Sequence, residues 1–302
     1  MHKTRWSRLL SLSLLAAACV ITMPGTGSFF AEAGWTSLLD KDLSQWERYL
    51  SFRHKLDYDG EAPRGENREL IQPIGYNNDT DGVFTVVEEK GQPVLRVSGE
   101  VYGAVFTKQA FENYHLKLKV KWGEKKWEPR MSKLKDSGLL YHSIGESGVD
   151  YWRSWMLSQE FQIMEGHMGD YWSIANSAID IRAFMPEGDM DAVAGKKQPF
   201  LPLGSGSALG GFCLRSEDRE SEAGAWTDIE LITFEDKSLH IVNGHVVMVL
   251  RNSRYMDGDQ AIPLTKGKIQ LQSEAAEVYY KDIKIMRLKA LPRKYAAYFE
   301  SF

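Results

Sequence analysis

The sequence predicts an all-β fold, a two-sheet antiparallel sandwich of jelly-roll type, and three observations carry that expectation. Short segments of alternating apolar and polar residues follow one another, as in His115-Leu116-Lys117-Leu118-Lys119-Val120-Lys121-Trp122. A period of two buries one face of a strand and wets the other. Asn243-Gly244 stands between two apolar runs, the dipeptide best suited to the positive φ angles of a two-residue hairpin turn. No helical period of useful length precedes the tail at 292–302, and no strand–helix–strand rhythm suggests a parallel sheet.

The N-terminus reads as a signal peptide over residues 1–33. Lys3, Arg5 and Arg8 form a basic start, and an apolar stretch to Met23 ends at Pro24-Gly25. That stretch is short for a bilayer span, so the expectation is a secreted or extracytoplasmic protein. Ala31-Glu32-Ala33 offers a cleavage site that leaves Gly34 first, while Ala16-Ala17-Ala18-Cys19 resembles a lipobox. A lipid anchor at Cys19 is the one membrane attachment expected. Residues 34–302 then form a single β-sandwich domain.

The whole chain carries −4 and its first 33 residues a net +2, so the remainder carries −6. That balance argues against nucleic acid as a partner. Only Cys19 and Cys213 are present, so the domain has no internal disulfide and relies on its core. A domain of about 270 residues buries enough apolar surface for that. Cys213 reads as a small buried hydrophobe.

Residues 34–46 suggest an edge strand and a turn, and 54–81, rich in Gly, Pro, Asn and Asp, a long loop. Strands are expected at 83–87, 94–98, 103–107 and 115–122, with the lysines of the last solvated. Residues 173–211 read as irregular loops around a cleft. The final third returns to strands at 226–234, 238–242, 246–250, 268–272 and 277–287.

Chemistry gathers between Leu134 and Ile174. Two short runs, Asp136-Ser137-Gly138-Leu139-Leu140-Tyr141-His142 and Gln159-Glu160-Phe161-Gln162-Ile163-Met164-Glu165, are bounded by Gly-containing turns and suit two strands. Glu160, Gln162 and Met164 then share one face, with Phe161, Ile163 and Glu165 on the other. An acid and an amide on a sheet face near His142, Trp152, Trp155 and Trp172 suit a saccharide cleft. Trp155 and Trp172 are candidate stacking platforms. Asp136, Tyr141, Arg153 and His167 are candidate substrate contacts, and Arg182 is open to the same role or to surface pairing. No cofactor is expected: a divalent metal on His142, Glu165 and His167 would lack tight ligand spacing.

Five segments in order resemble the 3-keto-disaccharide hydrolase domain family: Gly34-Trp35-Thr36-Ser37-Leu38-Leu39 with Leu43-Ser44-Gln45-Trp46; Asp136-Ser137-Gly138-Leu139-Leu140-Tyr141; Glu160-Phe161-Gln162-Ile163-Met164-Glu165-Gly166; Trp226-Thr227-Asp228-Ile229-Glu230-Leu231 with Val242-Asn243-Gly244; and Gly267-Lys268-Ile269-Gln270-Leu271-Gln272-Ser273-Glu274 through Val278-Tyr279-Tyr280-Lys281-Asp282-Ile283. The resemblance runs from about Gly34 to Leu288. It implies a concanavalin A-like lectin/glucanase fold and an exported carbohydrate-active enzyme. Thr227 and the turn Glu274-Ala275-Ala276-Glu277 depart from the family pattern, at places expected to lie away from the cleft.

The implied reaction uses a ketone at C3 of the sugar, which acidifies the C2 proton and lets the glycosidic bond leave by base-assisted elimination. Glu160 is the candidate base, its pKa raised by burial among aromatics. Gln162 positions a hydroxyl, His142 or His167 supplies the acid or polarises the ketone, and Glu165 orients His167. Two alternatives stand beside it: a retaining glucanase using Glu160 and Glu165, reunited on one face by a bulge, and a non-catalytic lectin-like module.

Overall fold

A computed structural model describes residues 34–300. The expected signal peptide over 1–33, both processing sites and Cys19 lie outside the described residues. Twenty strands occur in chain order: β1 (Thr36–Ser37), β2 (Trp46–Leu50), β3 (Gly75–Tyr76), β4 (Phe84–Glu89), β5 (Gln92–Val97), β6 (Gly103–Thr107), β7 (Tyr114–Lys126), β8 (Asp136–Ile144), β9 (Leu157–Met164), β10 (Tyr171–Ile174), β11 (Ser177–Phe184), β12 (Ala192–Ala194), β13 (Phe200–Gly204), β14 (Phe212–Leu214), β15 (Thr227–Phe234), β16 (Lys237–Val242), β17 (His245–Asp257), β18 (Gln260–Pro263), β19 (Lys268–Ser273) and β20 (Ala276–Arg287). A short helix, α1 (Arg293–Ala296), and a single 3₁₀ turn follow.

The pairings trace two ladders. One runs β4-β5-β20-β7-β15-β16-β17-β11-β13, with β1 on β20 and β18 on β17. The other runs β3-β2-β6-β19-β8-β9-β10-β14-β12. Strand β11 belongs to the first and also pairs with β12, so it joins the two. The all-β expectation holds.

Alternation decides what lies between the ladders. Leu139, Phe161, Ile163 and Leu271 of β8, β9 and β19 pack with Leu116, Leu118 and Val120 of β7 and Ile229 and Leu231 of β15 in one buried cluster. Hydroxyls pin the ladders across this core: Tyr280 meets Ser137 at 2.7 Å and Tyr141 meets Ser238 at 3.0 Å. The opposite face of β7 is polar, yet its lysines are partnered. Lys117 pairs with Glu230, Lys119 with Asp228 and Lys121 with Glu89. Asn243 and Gly244 both take positive φ, 46° and 78°, and close the β16–β17 hairpin as the dipeptide demanded.

The span 173–211 departs from expectation, since it carries β11, β12 and β13 rather than irregular loops alone. Strand β11 is buried along nearly its whole length, because neighbours on both ladders cover it, and a strand buried on both faces shows no alternation. Strands β12 and β13 are short and broken by Gly195, Pro199 and Pro202.

Leu271 is fully buried in the shared cluster. Leu271→Ala should lower unfolding free energy by about 2–5 kcal/mol, read from urea melts, whereas Lys119→Ala should change it by less than about 0.5 kcal/mol.

Candidate active site

The face of the second ladder turned away from the core carries the site. Asp136 and Gly138 of β8, Glu160, Gln162 and Met164 of β9, and Gln272 of β19 share it, while their odd-numbered neighbours fill the core. Above it opens a cavity of about 650 Å3, lined by Arg130, Asp136, Asp150, Glu160, Gln162, His167, Asp170 and Glu274 among polar residues. Its walls are aromatic: Trp152 and Trp155 on one loop, Trp172 and Phe212 on β10 and β14. The Trp172 and Phe212 rings lie 4.5 Å apart and tilted by 38°, with Trp172 41% exposed.

Asp150 shapes the loop that presents the first pair of tryptophans. Its carboxylate accepts the backbone N–H groups of Trp152 at 3.1 Å and of Ser154 and Trp155 at 2.9 Å. Trp155 Nε1 donates to the Gly103 carbonyl at 3.0 Å, which sets its ring edge-on to β6. Trp152 stacks on Tyr58, centroids 5.3 Å apart and 15° between planes.

On the floor stand three carboxyls, two of which share one guanidinium. Asp136 and Glu274 face each other in a single bridge between strand ends, and Arg130 pairs with Asp136 and, at 2.7 Å, with Glu274. Glu160 has no such cation and is 3% exposed. Burial pushes its pKa well above 4.5, and the Glu274, Asp136 and Asp150 carboxylates push the same way, with only Arg130 opposing. Burial was the cause expected; neighbouring carboxylates, more than aromatics, reinforce it. Asp136 is raised by burial and by Glu274, and Glu274 by burial, each against the pull of Arg130.

An imidazole lines the same cavity. His167 Nδ1 donates to Asp170 Oδ2 at 3.0 Å. The other Asp170 oxygen accepts the Arg215 backbone N–H at 2.9 Å and its guanidinium at 3.1 Å. A fully buried carboxylate, itself held by Arg215, whose guanidinium also comes within 3.4 Å of His167 Nδ1, thus orients the imidazole.

The structure brings Glu160, Gln162, His167, Trp155, Trp172 and Asp136 together around one cavity, although Asp136 is committed to Arg130. Four other expectations are corrected. His142 is 1% exposed and packs edge-on against Tyr141 and Tyr114. A bulge between Tyr141 and Ile144, with His142 at φ 54°, turns it into the core, where burial lowers its pKa to about 4. Tyr141 is buried between Ser238 and His240, as parity with the core face requires. Glu165 lies beyond the end of β9, 3.7 Å from Lys135, so it neither joins Glu160 nor orients His167. Arg153 donates to the Gly60 carbonyl at 2.9 Å and pairs with Glu61 on the loop. Arg182, the open case, holds the carbonyls of Gln198, Tyr298 and Glu300.

Arg130, Glu274, Asp170, Arg215 and Gln272 escaped the sequence reading. Glu274 falls in a turn expected to lie away from the cleft, yet it lines the cavity. Among the described residues no three His, Cys, Asp or Glu side chains are grouped to hold a metal ion, and His142, Glu165 and His167 do not converge.

The 3-keto-alpha-glucoside-1,2-lyase-like domain matches residues 34–286. The chain belongs to this family. The resemblance drawn from five motifs is thereby confirmed, and the lyase-like domain is directed to carbohydrate. No curated protein matches it. Among solved structures it is similar to a Parabacteroides distasonis protein carried as a candidate glycosyl hydrolase, at 17% identity and TM-score 0.42, covering 84% of this chain and 99% of that one. It is also similar to the LamA catalytic domain of Zobellia galactanivorans, at 12% identity and TM-score 0.38, covering 80% and 90%. The carbohydrate-binding module CBM66 of Bacillus subtilis aligns at 7% identity and TM-score 0.36, covering 67% and 91%. These are likenesses of fold.

A raised carboxyl pKa has a stability consequence. The unfolded chain releases the Glu160 proton near the ordinary 4.5, and the folded chain only at higher pH. The stabilisation is therefore complete below about 4.5 and is lost as pH rises through the folded value. Glu160→Gln cannot ionise, so the variant should gain on the parent as pH rises from about 4.5, by roughly 1.4 kcal/mol for each pH unit separating the two titrations. Urea melts across pH check this, and parallel profiles would refute it.

Proposed function

We propose that the protein cleaves the glycosidic bond of 3-keto-disaccharides or related glycosides by base-assisted elimination. One observation carries this reading: a single aromatic-walled cavity holds two separate proton-handling groups, the buried Glu160 carboxyl and the His167 imidazole held on Asp170.

The ketone at C3 makes the C2 hydrogen acidic. Ionised Glu160 takes that proton, the C2–H electron pair becomes the C1=C2 bond, and the C1–O bond breaks. His167 gives a proton to the departing oxygen, which leaves as an alcohol. Water then adds to C1 as His167 takes one of its protons, and Glu160 returns its proton to C2, which restores a free 3-keto sugar and both protein groups. A base whose pKa is lifted toward the working pH is stronger once ionised, which is what burial and three neighbouring carboxylates do for Glu160. Gln162, with its Oε1 buried and unpartnered, offers a hydrogen-bonding amide to the sugar. The family's name, which denotes bond change between C1 and C2 of a 3-keto-α-glucoside, supports the substrate class.

Retaining hydrolysis fits less well. It asks for two carboxylates roughly 5–5.5 Å apart, one nucleophile and one acid. Glu165 lies outside the cavity, and Asp136 and Glu274 are tied to Arg130. An extracytoplasmic location belongs to the same proposal and rests on the basic and apolar pattern of residues 1–33.

Glu160→Gln should lower kcat by about 10²–10⁴-fold with little change in saccharide affinity; a variant that keeps turnover removes Glu160 from the chemistry. Deuterium at C2 of a 3-keto-disaccharide should slow cleavage by a primary isotope effect. Equal cleavage of ordinary disaccharides, with retained anomeric configuration and no such effect, overturns the elimination.

A further inference from the structure

Gln272 sits under the proposed base with nothing to bond. Its backbone carbonyl accepts from Ser137 Oγ at 2.9 Å, so the strand is fixed there. Its side chain is fully buried, yet neither Oε1 nor Nε2 has a hydrogen-bond partner. A buried amide with neither end paired to protein is costly, and native proteins rarely keep one without a use.

Gly138 shows what the amide faces. A β-carbon there would run into Glu160 Oε1 and Gln272 Oε1 together and would lie 2.8 Å from Gln272 Cδ. The glycine thus leaves a gap on β8 into which β9 and β19 each send one side chain, and the two oxygens border the same point. Two acceptor oxygens side by side repel, unless one carries a proton that the other accepts.

We propose that Gln272 is a positioning residue for the reaction: its amide oxygen accepts the proton of the neutral Glu160 carboxyl and so fixes the direction in which that carboxyl faces the cavity. The assignment rests on Glu160 being the base proposed above. Gln272 itself, with no exposed surface, does not touch the sugar. The charged and titratable groups that also act on Glu160 are Asp136 on β8, Glu274 beyond β19, Asp150 and Arg130 on the flanking loops, and Tyr280 on β20; all stay unchanged in the test.

The experiment follows the Glu160 carboxyl directly. Full-length protein carrying ¹³C-carboxyl glutamate is titrated by NMR, with the Glu160 resonance assigned through Glu160→Gln. Gln272→Met fills a similar volume in a buried site, so Glu160 keeps its burial and loses only the amide. The midpoint should fall by roughly one pH unit, and the acid limb of kcat/KM should move down with it. Gln272→Asn, which withdraws the amide by one methylene, should shift the midpoint the same way by less, and it serves if the Met variant does not fold. An unmoved midpoint overturns the proposal. A midpoint that rises also overturns it, because the amide would then be donating N–H to the ionised carboxylate. The titration needs no substrate. A midpoint that falls in a protein that cleaves no keto-sugar sinks the elimination and leaves the contact standing; turnover with an unmoved midpoint sinks the contact alone.

Discussion

Three buried carboxyl groups with a single guanidinium are the constraint to which the rest of the molecule answers. Asp136 and Glu274 face each other where β8 begins and just past the end of β19, and Arg130 is drawn between them. Burying two acids without that arginine would leave uncompensated charge, so the loop that brings it must be held down. Backbone bonds do this: Trp127 donates to the Ala275 carbonyl at 2.9 Å, and its indole to the Ser98 carbonyl at 3.0 Å. The rim of the cavity is thus anchored by the charge it covers. Glu160 lies within reach of the cluster's field and outside its pairing, which adds to the upward push that burial gives its pKa.

The sandwich makes this possible by alternation along the same strands. Phe161 and Ile163 go down into the shared core while Glu160 and Gln162 go up into the cavity. Floor and core are two sides of one register, so slipping β9 by a residue would bury Glu160 in hydrocarbon and lift Phe161 into the cleft. Leu139, Phe161 and Leu271 therefore matter to chemistry without touching the sugar: their packing fixes the height and direction of the polar residues between them.

Parity explains what the sequence made legible and what it did not. The run from 159 to 164 alternates cleanly, so Glu160, Gln162 and the core partners could be read from it. Counting by twos along β8 from Asp136 and Gly138 puts His142 on the site face, and the count fails because a bulge inserts a positive-φ residue at His142 itself. A local count has no access to a bulge set by the register of a partner strand. Arg130, Glu274, Asp170 and Arg215 come from four separate segments that meet only because β19 lies beside β8 and β14 beside β10. That adjacency is topological, so no spacing in the chain announces it. The turn at 274–277, expected to lie away from the cleft, brings Glu274 into the cavity for the same reason.

Burial raises the Glu160 pKa while the proposed elimination needs the ionised carboxylate, so the burial that strengthens the base also opposes its ionisation. The geometry offers a way out of that conflict. A sugar entering an aromatic-walled cavity displaces water, which sharpens every interaction within it. In the proposed reaction its C3 ketone would bring an oxygen that gains negative charge as the C2 proton leaves, so the proton would move from one electron-rich centre to another. In the proposed step the Glu160 carboxylate would be neutralised as the substrate becomes an enolate, and the charge that the floor tolerates badly would be present on Glu160 only before it. A site that penalises the ionised base more than the transferred proton lowers the barrier between them, and the crowding of Asp136, Glu274 and Asp150 around Glu160 is then a driving force for proton abstraction.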